Sequence, residues 1–399
     1  MDKIFDISYL DLSADDREKF HMLSAFHPTG FSVEAVASLW NGETSLARSL
    51  LSRFINLSLV KFVETENERL ERYRLHDLLD EYTTPKLKAD GKYNETKTSL
   101  AQWLVELFND HYTDDISTAP HVAAERDNLL HACEWARGEK QADILALLTT
   151  KARNWFYVFF TDAWVQWFAW LEACLQLDLT DNGLKANVLQ AIGDVQQFRD
   201  DRDAALDSYN EALKLFKAVG DKLGEANVIS SQGQLFLPDD LEKANEFLNT
   251  AIQIYQQIGD RYSVPAQIGN YGWKLFRLGE HEKAKPYFIQ AADLFEKMGL
   301  MDYAGRHRQA ADANGKELSE EEQITQLTLT VVRAVRDKSD DAPRLFELIS
   351  KLSVDPNSPP HFQELGNVLK KYMSGIKNPE LSRLPKEIAE IVQKVIQKG

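Results

Sequence analysis

The stretch "SYNEALKLFKAVGDK", Ser208 to Lys222, decides how the chain folds, because it comes back twice. Its counterparts are "FLNTAIQIYQQIGDR" from Phe247 and "YFIQAADLFEKMGLM" from Tyr287. Gly220, Gly259 and Gly299 stand 39 and 40 residues apart, and Ala212, Ala251 and Ala291 keep the same steps. Tyr209, Leu248 and Phe288 each sit three residues before their alanine. Gly193, Gly233 and Gly272 fall near the middle of the helical stretch that precedes each copy. Small residues at fixed places, with a bulky residue between them, mark a hairpin of two closely crossing helices; repeated, such hairpins stack into a superhelix. The repeat region is expected over 141–316, with "WFYVFFTDAWVQWFAWLEACLQL" as a degenerate, tryptophan-rich earlier unit.

Upstream the pattern changes. "LSADDREKFHMLSAF" opens on a Ser13 cap and "SVEAVASLW" on a Ser32 cap, each leading into apolar residues at helical spacing. "SLARSLLSRFINLSL" puts Leu46, Leu50, Phe54 and Leu57 on one helix face. "LVKFVE" and "RYRLHD" then flank the polar turn "TENER", which reads as two strands with a loop. Three helices and a small β-wing predict a winged helix over 1–88. A helical connector is expected over 89–140: polar "TTPKLKADGKYNETK" leads into "SLAQWLVELFNDHY", and the next segment reads as two helices broken near Gly138. Residues 317–399 read as a small helical module around the proline-containing loop "SVDPNSPPHF", with Pro385 near the start of the last helix. The fold class is therefore mainly α.

Composition narrows the function. The 399 residues carry a formal charge of -16. Such a surface repels phosphate backbones, so nucleic acid is not an expected partner. The candidate recognition helix of the winged helix carries Arg48 and Arg53 among Leu50, Leu51 and Phe54, too sparse a cationic face for a DNA reader. Two cysteines, Cys133 and Cys174, exclude a disulfide scaffold and fit a reducing, cytoplasmic setting, with both expected in the core. "MDKIFDISYL" has no signal-peptide run, and the aromatic stretch at 155–175 carries Asp162 and Glu172 at helical spacing, so it reads as core, not as a membrane span. No pair among the nine histidines has metal-ligand spacing, and His121 and His131 read as surface or capping groups. No G-x-S-x-G elbow occurs, and no catalytic residue is proposed.

The repeat pattern resembles tetratricopeptide repeats in their longer variant. A winged helix ending in "YRLHDLLDEY", a connector with "ERDNLLHACEWA" and then such repeats resembles the C-terminal half of STAND-class signalling ATPases, which include the NB-ARC family. "SYLDLSADDREKFHMLSAFHPTGFSVEAVASLW" is similar to the opening of that family's winged helix, and the resemblance covers roughly residues 5 to 315. In the family a Met-His-Asp motif contacts the β-phosphate of ADP held in the neighbouring ATPase domain. Here the match is Leu75-His76-Asp77, and the resemblance implies nucleotide sensing by His76 and Asp77; the residues alone fit helix capping better. No G-x-x-x-x-G-K-[ST] occurs, so the resemblance implies no cofactor in this chain: ADP or ATP would come with an upstream ATPase domain of the same full-length protein, and activation would bring oligomerisation. The chain would then be a piece of a longer protein, or the product of a gene that has lost its motor.

Aligning Gly193, Gly233 and Gly272 predicts which residues the superhelix turns into its groove. The first unit presents Asn187, Gln190, Asp194 and Gln197; the second Asn227, Ser230 and Gln234; the third Asn270, Trp273 and Arg277. Amide side chains can pair with a peptide backbone and Trp273 can anchor an apolar group, so a protein or small-molecule ligand is expected there. Two other readings stand beside the sensor: a free-standing adaptor that binds proteins through the groove, and a winged-helix regulator of DNA.

Overall fold

The computed structural model describes residues 9–63, 70–76, 79–110, 119–237, 239–312, 320–336, 345–346, 349–350, 352–353, 359–377 and 379–398. The protein is predominantly α-helical, as predicted; among the described residues its sheet has three strands, the two predicted and a short one at Phe31–Ser32. It divides into two compact units, Met1–His307 and Arg308–Gly399.

Helix α1 (Ala14–Met22) begins where Ser13 Oγ accepts from the Asp16 N–H at 3.1 Å. Helix α2 (Val33–Leu39) begins where Ser32 Oγ accepts from the Ala35 N–H at 3.3 Å. These are the predicted caps, and they satisfy N–H groups that a first helical turn leaves open. Helix α3 (Thr44–Asn56) buries Ala47, Leu51 and Phe54, not the expected stripe from Leu46; Leu46 is 66% exposed. Adjacent Leu50 and Leu51 allow either stripe, and the buried edge-on packing of Phe54 on Phe20 goes with the second. Strands β1 (Phe31–Ser32), β2 (Val60–Val63) and β3 (Arg72–Leu75) form an antiparallel sheet in the order β1-β3-β2, with Tyr73 opposite both Phe31 and Phe62.

The stretch expected as a polar connector is mostly helix: α4 (Asp80–Ala89) and α5 (Tyr93–Asp110). Pro85 and Gly91 suggest a break. Yet α4 tolerates Pro85, buries Thr83 and Leu87, and hands over to α5 at Gly91, whose φ is +70°. Helices α6 (Arg126–Gly138) and α7 (Ala142–Lys151) are interrupted after Gly138, as predicted. A buried ion pair ties this part to the sheet: Arg72 Nη1 lies 2.7 Å from Glu125 Oε1, with the two side chains 9% and 1% exposed. Ser32 N–H and Asn128 Nδ2 also donate to Glu125, so the buried carboxylate is fully hydrogen-bonded.

Helices α8 (Arg153–Val158) and α9 (Trp164–Gln176) carry the aromatic stretch. Trp155, Trp167 and Trp170 are buried, and Phe156 stacks on Trp167 at 5.3 Å, so this is core. Three hairpins follow: α10 (Asn182–Phe198) with α11 (Arg202–Val219), α12 (Lys222–Gln234) with α13 (Leu241–Gln257), and α14 (Ser263–Arg277) with α15 (His281–Lys297). Gly220, Gly259 and Gly299 each take φ +76° just after the second helix of a hairpin, a backbone state that disfavours any Cβ. At the crossings, a Cβ on Gly193 would stand 2.6 Å from the Tyr209 ring, and one on Gly272 2.9 Å from Phe288. One on Gly233 would collide with Tyr271 Oη. Helix α16 (Met301–Asp312) packs Tyr303 and His307 on Phe295, each at 5.3 Å.

In the second unit, α17 (Glu320–Arg336), α18 (Pro360–Met373) and α19 (Lys386–Lys398) share a core that includes Ile324, Val331, Leu365, Leu369 and Val392. The helix predicted in "DDAPRLFELISKL" falls mostly outside the described residues. Among the described residues no helix is long and apolar enough to cross a membrane.

Gly193→Ala is expected to destabilise the chain by about 2 kcal/mol or more, since the Tyr209 ring cannot withdraw without losing its buried seat. Gly138→Ala, which meets nothing within 4 Å, is expected to be neutral or slightly stabilising. Urea unfolding of both variants checks the contrast.

Candidate functional site

Helices α10, α12 and α14 lie side by side as the first helices of their hairpins, and a cavity of about 310 Å³ opens between them. Gln190, Asp194 and Gln197 face it from α10, and Asn227, Ser231 and Gln234 from α12. Both sets have i, i+4, i+7 spacing, which is one face of a helix. Gln267, Asn270, Trp273 and Arg277 face it from α14, and Arg153 enters from the start of α8.

The cavity takes in the predicted groove residues except Asn187 and Ser230. Asn187 Nδ2 donates to the Gly183 carbonyl of its own helix at 2.9 Å. Ser230 is fully buried, and its Oγ donates to Gln267 Oε1 at 2.9 Å. The groove serine is Ser231, one position on. The residue after each crossing glycine, Asp194, Gln234 or Trp273, faces the cavity. Ser231 stands three before Gln234 as Asn270 stands three before Trp273, a regularity from which Ser231 could have been read. Arg153 lies outside the repeats and has no such signal.

The electrostatics are asymmetric. Arg153 Nη1 lies 3.0 Å from Asp194 Oδ2, and Tyr209 Oη donates to Asp194 Oδ1 at 2.8 Å. Burial pushes the Asp194 carboxyl up, against the pull of Arg153 and the Tyr209 hydroxyl. At the other end, Arg277 and Lys274 have no ion-pair partner among the described residues. Burial, then repulsion from Arg277 and Arg202, pushes the Lys274 ammonium down. Several amides are open. Gln190 is 5% exposed and makes no hydrogen bond among the described residues. Gln197 Nε2 is buried without a partner. Asn227 Oδ1 accepts from Tyr255 Oη at 2.6 Å, while its amide N–H groups are unused among the described residues.

His76 lies elsewhere. It follows β3, its N–H donating to the Leu59 carbonyl at 3.2 Å and its carbonyl accepting from Leu79 N–H at 2.8 Å. It stands a turn ahead of α4, which begins at Asp80, and lines a separate cavity of about 280 Å³ with His27, Pro28, Arg74 and Glu81. Asp77 lies outside the described residues. His131, expected as a surface or capping group, instead packs edge-on against His27 at 5.6 Å, and burial, then Lys97 and His27, hold its pKa down at about 4. Cys133 and Cys174 are interior, with burial pushing the Cys133 thiol up and Cys174 to about 12. Among the described residues no three His, Cys, Asp or Glu side chains gather as a metal site.

Two outcomes follow. Gln190→Leu is expected to change stability by no more than about 1 kcal/mol, because the amide faces the cavity without a hydrogen bond among the described residues and is replaced by an apolar group of similar size. Thermal unfolding of the ligand-free chain measures it. His131 has a folded pKa below its unfolded one, so its contribution is present above about pH 6.5 and is lost as pH falls towards 4, by about 3 kcal/mol in all. His131→Gln is expected to flatten that part of the stability–pH curve.

No protein-family model and no curated protein sequence matches the chain. Among solved structures it is similar to the crystal structure of a signal transduction ATPase with numerous domains (STAND) protein with a tetratricopeptide repeat sensor, from Pyrococcus horikoshii. The identity is 12% and the TM-score 0.47. The likeness covers 99% of this chain and 64% of that one, so the chain spans less than two thirds of its length, and the relation is a distant one of shape.

Proposed function

We propose that the chain is the regulatory and sensor region of a STAND-type signal-transduction ATPase. Residues 1–88 are the winged helix, which holds the off state through His76 against ADP in an ATPase domain of the same full-length protein. The stacked hairpins receive a ligand, which shifts the balance towards an open, oligomer-competent state. The chain itself carries no ATPase activity in this reading.

The observation that carries the sensor role is the open amide lining between α10, α12 and α14. Buried hydrogen-bonding groups are normally satisfied, and leaving Gln197 Nε2 unpaired costs stability unless a ligand completes it; the Gln190 amide opens onto the same cavity without a hydrogen bond among the described residues. A ligand that touches three hairpins at once also ties their relative positions together, which is the mechanical requirement of a sensor. A DNA-reading role for the winged helix has less support: Arg48 is paired with Glu71 at 2.9 Å and Arg53 with Asp16 at 2.7 Å.

In the polypeptide that includes the ATPase domain, His76→Ala is expected to release fluorescent ADP roughly ten- to a hundredfold faster, the loss of one charge-assisted hydrogen bond. An unchanged release rate counts against the switch and favours the adaptor.

A further inference from the structure

We infer that the cavity between α10, α12 and α14 binds a small polyhydroxylated anion, of the sugar-acid or sugar-phosphate class, with Arg277 holding the charge. The inference rests on the sensor reading in one respect: it takes this cavity as the ligand site.

Size comes first. A cavity of about 310 Å³ holds roughly ten waters' worth of volume and lies at the small end of ligand pockets. That suits a ligand the size of a single sugar.

Chemistry comes second. Six carboxamides line the cavity, and no aliphatic side chain does. Each carboxamide offers an acceptor oxygen beside two N–H donors, and a hydroxyl group both donates and accepts, so a ring of amides suits a polyol. A docked peptide would need apolar pockets for its side chains, and the lining supplies Trp273 alone. The Trp273 ring is held edge-on by Phe288 at 4.7 Å and by Phe276 at 5.8 Å, which makes it a fixed platform for the C–H face of a sugar. Gln197 Nε2 is already buried and unfilled, and the Gln190 amide faces the cavity without a hydrogen bond among the described residues.

Charge comes third. Arg153 and Asp194 neutralise one another at 3.0 Å. Arg277 is left as the uncompensated charge of the lining, beside Lys274, in a chain of formal charge -16. A neutral sugar would leave that guanidinium without a partner; a carboxylate or phosphate would pair with it.

Isothermal titration calorimetry of the full chain with sodium gluconate, glucose 6-phosphate and glucose tests the inference. The expected result is saturable binding of at least one anion, with glucose at least tenfold weaker. Binding of gluconate alone assigns a carboxylate, and of glucose 6-phosphate alone a phosphate. Arg277→Gln is expected to weaken the anion at least tenfold without moving the thermal unfolding midpoint of the ligand-free chain, and Gln190→Leu to weaken it while the chain stays folded. Glucose binding as tightly as the anions, or Arg277→Gln binding as tightly as the native chain, overturns the anion assignment and leaves the cavity a ligand site. No saturable heat from any of the three overturns the inference, and ADP release from the His76→Ala protein then judges the sensor reading by itself.

Discussion

The crossing of α10 and α11 at Gly193 is so close that a single added carbon would stand 2.6 Å from the Tyr209 ring. That proximity reaches beyond packing. With the ring seated on the glycine, the Tyr209 hydroxyl arrives at Asp194, the next residue, and fixes one wall of the cavity at 2.8 Å. The same logic recurs along the stack. Tyr271 lies over Gly233 and donates to the Ser230 carbonyl at 3.0 Å, which ties α14 to α12. Phe288 lies over Gly272 and holds Trp273 edge-on. Each glycine thus sets a helix crossing and aims its successor, Asp194, Gln234 or Trp273, into the concave side. At Gly193 and Gly272 the overlying ring comes from the hairpin's own second helix, and at Gly233 from the next hairpin, but in all three packing and site are joined at the glycine.

That coupling explains how much was legible. A repeat of 39 and 40 residues is visible in the sequence because the same steric demand recurs at the same step, and only glycine meets it. The site inherited that visibility, since the groove residues ride on the glycines. Where the rule was applied one residue off, Ser230 was taken for Ser231. Two adjacent serines look alike in sequence, and only the turn of the helix sends one to Gln267 and the other to the cavity.

Elsewhere no repeated constraint exists, and the reading was weaker. Leu50 and Leu51 fit two helical stripes equally well, and tertiary packing around Phe54 chose between them. The polar run "TTPKLKADGKYNETK" reads as a connector, but burial of Thr83 and Leu87 outweighs that polarity and makes a helix. Arg153 reaches the cavity from outside the repeats, through its pairing with Asp194, and a contact between residues 41 positions apart leaves no local trace. Likewise His131 looked like a surface group because nothing nearby in sequence announces His27.

The open amides give the cavity its direction of effect. In a stack of hairpins, stability is close to a sum of units and of the interfaces between neighbours. A ligand seated between α10, α12 and α14 adds to two of those interfaces at once, and it stabilises by mass action the arrangement in which all three helices converge. The unliganded stack keeps the cost of Gln197 Nε2 unpaired, so its convergent arrangement is weakened where the proposed ligand would strengthen it. An apolar lining would remove that cost and with it the difference between the two states. If the cavity takes the ligand proposed, amides at these positions would make the geometry of the superhelix conditional on occupancy, which would distinguish a sensor from a scaffold.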